Sequence, residues 1–350
     1  MNAEPFLNVP FAHGAPVGRA ILRATPEDFQ VDEWLGFEAD GNGDHMLLRV
    51  RKRSANTFWV AKQLARIADV QPRDVGYAGL KDRDAIAEQS FTVPLRSKVG
   101  EHWAGLSGEG FEVLSASRHR RKLKRGALKG NGFRIVLREF QGDLVSLEER
   151  LRVIQARGVP NYFGPQRFGK ESYNLTVARR WFSSGEPPQD RLQRGFAISA
   201  ARSAIFNAVL AHRVEAGTWN WLMMGELANL NGTGSVFAVD AVDAVLEARC
   251  EQMDIHPSGP LWHGDTTASA DVGALEREIA DRCSEFASGL GRIGLEPERR
   301  ALRAKVNDLA WSIDPTAVTL SFRLNKGSFA TAVLHELIEN VFLQDVPDGD

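Results

Sequence analysis

A chain of 350 residues, 43% hydrophobic and 25% charged, has the composition of a folded globular protein, and its length passes the roughly 250–300 residues at which one core tends to divide. Two packed units are therefore expected. A net charge of −2 decides nothing about nucleic acid, and no apolar run reaches the roughly 18 residues that cross a bilayer, so no membrane partner is expected.

The opening MNAEPFLNVPFAHG lacks the basic start and continuous apolar stretch of an export signal, which makes the cytoplasm the expected location. DHMLLRVRKR, Asp44 to Arg53, reads as a strand, and Ser54 to Val70 as a capped amphipathic helix. A glycine-containing turn then carries Asp82 and Asp84, followed by a strand from Gln89 to Leu95. FEVLSASRH and NGFRIVLREF read as two more strands. Between them RHRRKLKRGALK, Arg118 to Lys129, places seven Lys or Arg with no acid. Such a run suits phosphate contacts, because basic side chains release condensed counterions from a polyanion; a solvated basic face is the plainer reading.

Ser146 to Gly158 reads as a helix with Ser146 as cap, Glu149 completing a capping box and Gly158 as the stop and candidate boundary. From there to about Arg303 the pattern is helical with few convincing strands; Ala317 to Phe329 returns to β-type sequence, and Ala330 to Phe342 reads as a final helix. A β-rich start and end enclosing a helical middle suggests one domain inserted into another. Cys250 and Cys283 have no C-x-x-C spacing and read as buried thiols, and no His pair has metal-ligand spacing. Neither a metal nor a nucleotide cofactor is indicated.

Asp82 lies between Lys81 and Arg83 in a turn able to project its carboxylate. A neighbouring cation favours a charged carboxylate, and a charged Asp can act as a covalent nucleophile. On these residues alone a surface Asp in a tight turn is the commoner outcome. Asn131 offers a donor and an acceptor that could read a uracil edge, and Phe133 a face that could stack on it; the alternatives are a turn Asn and a core Phe. Phe29 and Phe329 are open to the same two readings.

Six blocks, in order, resemble the tRNA pseudouridine synthase D family: LRATPEDFQVDEWLGFEADGNGDHMLLRVRK, VGYAGLKDRDAIAEQSFTVP, SRHRRKLKRGALKGNGF, VPNYFGPQRFG, AARSAIFN and GSFATAVLHELI. They run from about Val17 to Ile338. The resemblance implies an α+β fold: a pseudouridine synthase-type catalytic domain, 1–157 plus 304–350, with a mixed, mainly antiparallel sheet, and an inserted helix-rich family domain, 158–303. It implies isomerisation of a uridine in tRNA, at position 13, by base flipping; apart from the resemblance, no cofactor and a monomer are expected. By position in the motifs, Asp82 is the implied nucleophile and Phe29, Asn131 and Phe329 the implied substrate contacts. Arg23, where many relatives have Lys, and with it Lys81 and Phe133, would support them, while Arg118, Arg120, Arg121, Lys122, Lys124, Arg125 and Lys129 would grip the RNA backbone. Asp84 receives no role. Two other readings stand beside this one: an RNA-binding protein without catalysis, and a nucleoside-cleaving enzyme pairing Asp82 with Asp84 or Glu88.

Overall fold

The computed structural model describes residues 6–83, 85–96 and 102–342; Asp84 and the closing DVPDGD lie outside them. The chain divides into two compact units. A sheet unit comprises Val17–Leu144, Val306–Gly327 and Ile338–Asp350, and a helical unit comprises Met1–Pro16, Val145–Lys305 and Ser328–Leu337. This division departs from 1–157 plus 304–350 and 158–303 at four stretches, 1–16, 145–157, 304–305 and 328–337, and buried Glu336 shows why three of them move. Its carboxylate accepts the backbone N–H groups of Ala12 and His13, both at 3.0 Å, while Arg150 donates to the carbonyls of Glu336, Gly14 and Ala15. The start of the chain, the helix after residue 143 and the segment near 336 are thereby tied together.

In the sheet unit the strands are β1 (Gly18–Leu22), β2 (Phe29–Trp34), β3 (His45–Arg53), β4 (Gly76–Tyr77), β5 (Ile86–Pro94), β6 (Ser107–Gly108), β7 (Phe111–His119) and β8 (Gly130–Gly142). Three later strands, Val306–Ile313, Ala317–Asn325 and Ile338–Phe342, join the same sheet. Pairing is antiparallel except between β2 and β5 and between β1 and Ile338–Phe342. Strand β8 is the spine: Ala317–Asn325 runs along one edge, while β2 and β1 share the other. Helix α1 (Thr57–Ala68) starts at Asn56, whose side chain accepts the Trp59 N–H at 2.7 Å, rather than at Ser54. Its Val60, Leu64 and Ala68 join Leu48, Val50, Phe91 and Trp103 in one apolar core. Burying the valine, leucine and phenylalanine side chains stabilises by about 1.5–3 kcal/mol each.

Helix α2 (Leu144–Arg157), which from Val145 on belongs to the helical unit, begins two residues before Ser146 and stops before Gly158, φ 72°. Helices α3 (Tyr173–Ser184), α4 (Arg191–Glu215), α5 (Ala244–Glu251), α6 (Ala270–Arg282), α7 (Ser284–Gly291) and α8 (Ala330–His335) follow. Ala197, Ala200, Ala201 and Ala204 on α4 are buried, which lets neighbouring helices approach closely. The middle of the chain also holds strands that its pattern did not announce, Glu226–Leu230, Val236–Val239, Ile255–His256, Ser258–Leu261 and Glu298–Ala301. These are short, so alternation has little room to show. The expected helix over 330–342 stops at His335, and Ile338–Phe342 becomes a parallel neighbour of β1. Tertiary pairing overrides local propensity there.

His256 gives the helical unit an acid-sensitive point. Its Nδ1 accepts from Arg303 Nε at 3.0 Å and its Nε2 meets Asn231 Oδ1 at 3.1 Å, an arrangement that suits only the neutral ring. Burial first, then the charges of Arg303 and Lys305, push its pKa from 6.5 to about 3. The unfolded ring takes a proton that the folded ring refuses, so stability falls as pH drops below about 6.5, by about 1.4 kcal/mol per pH unit. Urea unfolding at pH 7, 6 and 5 should show this slope, and His256→Gln should flatten it; an equal slope in both would remove His256 as its source.

Candidate active site

The loop from Ala78 to Arg83 leaves β4 and returns to β5, and buried polar side chains hold it from beneath. Gln89 breaks the apolar alternation of β5; its Nε2 donates to Gly79 O at 2.7 Å and its Oε1 accepts from Thr57 Oγ1 at 2.9 Å. Thr57 Oγ1 in turn accepts the Lys81 N–H at 3.0 Å. Fully buried Lys52 donates its ammonium to Ala55 O at 2.7 Å and to Asp82 O. Each buried donor here would cost about 1–3 kcal/mol if left unpaired, so the loop backbone is fixed by groups that need it.

With its backbone fixed, Asp82 presents a side chain that is 42% exposed, and Arg23 Nη2 donates to its Oδ2 at 2.9 Å. Arg23 has φ 56°, left-handed backbone that costs a side-chain-bearing residue about 1–2 kcal/mol. Its guanidinium also lies 4.1 Å from the centre of the Phe29 ring. Phe29 is 5% exposed and meets Phe133 edge-on at 6.3 Å; Phe133 stacks on Phe322 at 5.4 Å. Register explains the grouping: Glu33 faces Asn131, Val31 faces Phe133 and Phe29 faces Ile135, so these side chains share the sheet face beneath which Lys52 and Gln89 lie. Asn131 Oδ1 is buried with no hydrogen-bond partner among the described residues.

Lys81 departs from the sequence expectation. Its side chain is only 6% exposed and its ammonium pairs with Glu33 at 2.8 Å, on the inner side of the loop; the cation on Asp82 is Arg23, 59 residues earlier. Adjacent residues in an extended loop point to opposite sides, which chain proximity conceals. Glu88 pairs with Arg49 and Arg51 on the opposite sheet face, so it forms no carboxylate pair with Asp82. That face carries a cleft of about 560 Å³ in which Asp32, Glu88 and Asp308 meet arginines.

Of the basic run, Arg120, Arg121, Lys122, Lys124, Arg125 and Lys129 are exposed on the connection between β7 and β8. Arg118 is half-buried and donates from Nε and Nη2 to Gly43 O, at 3.2 and 3.0 Å, so it braces a neighbouring turn. Lys129 lies 4.6 Å above the half-exposed Trp34 ring, and Arg125 lies 4.4 Å above Tyr77. Phe329 belongs to the helical unit, 6.1 Å from Phe163. There Asn207 clamps Phe163, accepting its N–H and donating to its carbonyl, both at 2.9 Å. Lys52, Glu33 and Gln89 carried a signal in the sequence, as polar side chains at apolar-face positions of strands, whereas Thr57, at the first turn of α1, carried none.

The family model of tRNA pseudouridine synthase D (TruD) matches residues 11–181 and 186–337. The chain is 48% identical over 336 residues to tRNA pseudouridine synthase D of Methylococcus capsulatus, covering 95% of each. It is 47% identical over 327 residues to that of Nitrosococcus oceani, covering 92% of this chain and 91% of the relative. A solved structure of a putative tRNA pseudouridine synthase D from Methanosarcina mazei shares the fold, with TM-score 0.71 at 21% identity over 95% of this chain and 96% of that one. Motifs, fold and near-half identity along almost the whole length agree, and the chain belongs to the tRNA pseudouridine synthase D family.

Proposed function

We propose that the protein isomerises a uridine of tRNA, at position 13, to pseudouridine, with Asp82 as the nucleophile. The observation that carries this is the Arg23–Asp82 pair at 2.9 Å on a loop whose backbone is pinned from below. The reaction breaks the bond from uracil N1 to the sugar, turns the ring and forms a bond from C5, releasing the C5 proton. The detached base has to be kept, and a covalent bond to a fixed carboxylate keeps it. Arg23 orients Asp82 through a charge-assisted hydrogen bond while its plane rests on Phe29. The orphaned Asn131 Oδ1 suits a uracil N–H, which would relieve a buried acceptor, and Phe133 supplies an aromatic edge on the same face.

In this reading the target base leaves its stack to enter the site, and the exposed Arg and Lys between β7 and β8 take phosphates. Trp34, 39% exposed between Lys129 and Arg323, adds a platform on which an unpaired base could stack. The sheet unit is then the catalytic part and the helical unit the family's own domain, in which Phe329 would contact the substrate.

With tRNA tritiated at uracil C5, the wild-type protein should release tritium without free uracil, and Asp82→Asn should lower release by at least about a thousandfold while leaving tRNA binding near wild type. Free uracil would mark a nucleoside-cleaving enzyme, and binding without release an RNA-binding protein. Arg23→Lys keeps the charge but cannot both stack on Phe29 and hold Asp82 with a planar fork. Single-turnover rates should therefore fall about tenfold with little change in tRNA affinity, whereas equal rates would remove Arg23 from the machinery.

A further inference from the structure

The helical unit has a cleft of about 430 Å³ whose lining includes Gln166, Arg167, Asn174, Phe196, Ser199 and Phe329. Arg167 commands it. Its Nη1 donates to Ser199 Oγ at 3.0 Å, and its guanidinium lies 4.8 Å from the Phe163 centre and 5.8 Å from Phe329. Among the described residues no carboxylate pairs with it, and its remaining N–H donors have no protein acceptor.

A second guanidinium crowds the same ring: Arg300 lies 4.0 Å from the Phe163 centre and donates to Asn161 O at 2.9 Å and Oδ1 at 2.7 Å. Burial chiefly, and then the charge of Arg167, push the Arg300 pKa down to about 9, and burial alone pushes Arg167 down. Two like charges drawn out of water around one aromatic ring oppose folding. Cation–π contacts recover only part of that cost. The backbone after Arg167 is also held against its preference: Glu171 and Ser172 have φ of 50° and 59°, and Asn174 Nδ2 reaches back to Arg167 O at 3.3 Å. Strain and charge repulsion kept together in an open cleft mark a place where a ligand repays both. The ligand must be anionic and able to sit against rings. Phe196, 57% exposed on the cleft wall, offers a stacking face.

We propose that this cleft is a nucleotide subsite of the helical unit, in which a backbone phosphodiester of the RNA binds Arg167 and an adjacent base stacks on Phe196. It rests on the RNA-modifying reading for the identity of the strand; the anion site stands apart from that reading.

The full chain is tested in two measurements. Thermal unfolding in inorganic phosphate against chloride at matched ionic strength should show phosphate stabilising the wild type but not Arg167→Gln. In chloride the variant should melt at or above the wild-type temperature, because the repulsion on Arg300 is gone. Binding to an unmodified tRNA transcript should weaken several-fold in Arg167→Gln, with the slope of log K against log salt reduced by about 0.7 to 0.9, the loss of one phosphate contact. Arg167→Lys should keep most of that slope, and Phe196→Ala should weaken binding with the slope unchanged. A lower melting temperature with unchanged slope in Arg167→Gln, or equal stabilisation of both proteins by phosphate, would overturn the subsite; should Arg167→Gln fail to fold, an unaltered affinity in Phe196→Ala with a lost slope in Arg167→Lys would do so. Absence of tritium release by the wild type, with these binding effects intact, would instead sink the catalytic reading alone.

Discussion

Lys52 sits on the apolar face of β3 with no exposed surface, and its ammonium reaches two backbone carbonyls, those of Ala55 and Asp82. Burying an ammonium is costly unless every donor finds an acceptor, so the loop is held in the conformation that supplies one. The hydroxyl of Thr57 and the amide of Gln89 fix the same loop at Lys81 and Gly79. The outcome is a carboxylate whose backbone cannot wander while its side chain stays open to solvent, the kind of positioning that turns a bimolecular encounter into a directed one. Arg23 then needs only to orient an oxygen already in place.

Both units place an arginine beside left-handed backbone. Arg23 is itself in that region, and Glu171 and Ser172 follow Arg167 within five residues. In each, a guanidinium lies over a phenylalanine, Phe29 in one case and Phe163 in the other. Local conformational preference has been traded for the direction of a cation. A substitution that relaxed either backbone would gain stability and lose aim.

The sequence blocks sort by unit. LRATPEDF, VGYAGLKD and KGNGF meet around Asp82 because β2 and β8 are paired in register and the loop after β4 lies over them. VPNYFG, AARSAIFN and GSFAT meet around Phe163 through Asn207 and Phe329. The α+β class and the strand after Asp44 were readable, since long alternating runs and Gly stops act locally. What was not readable depends on distant chain: Lys81 turns inward because Glu33 awaits it, and Ile338–Phe342 becomes a strand because β1 has a free edge. The unit boundary near 144 was likewise set by Glu336, nearly two hundred residues away from Arg150.

The pairing of β8 has a consequence for how the protein is made. Among the described residues, one edge of β8, from Gly130 to Arg138, is matched only by Ala317–Asn325, and one edge of β1 only by Ile338–Phe342. At ~5–20 residues per second, a ribosome takes roughly ten to sixty seconds to travel between these partners. For that interval the nascent sheet has an unpaired edge on its longest strand, the condition under which strands of neighbouring chains pair wrongly. The helical unit is synthesised during the same wait, so the rate at which it folds sets how soon the closing strands can be delivered to an edge still free to accept them.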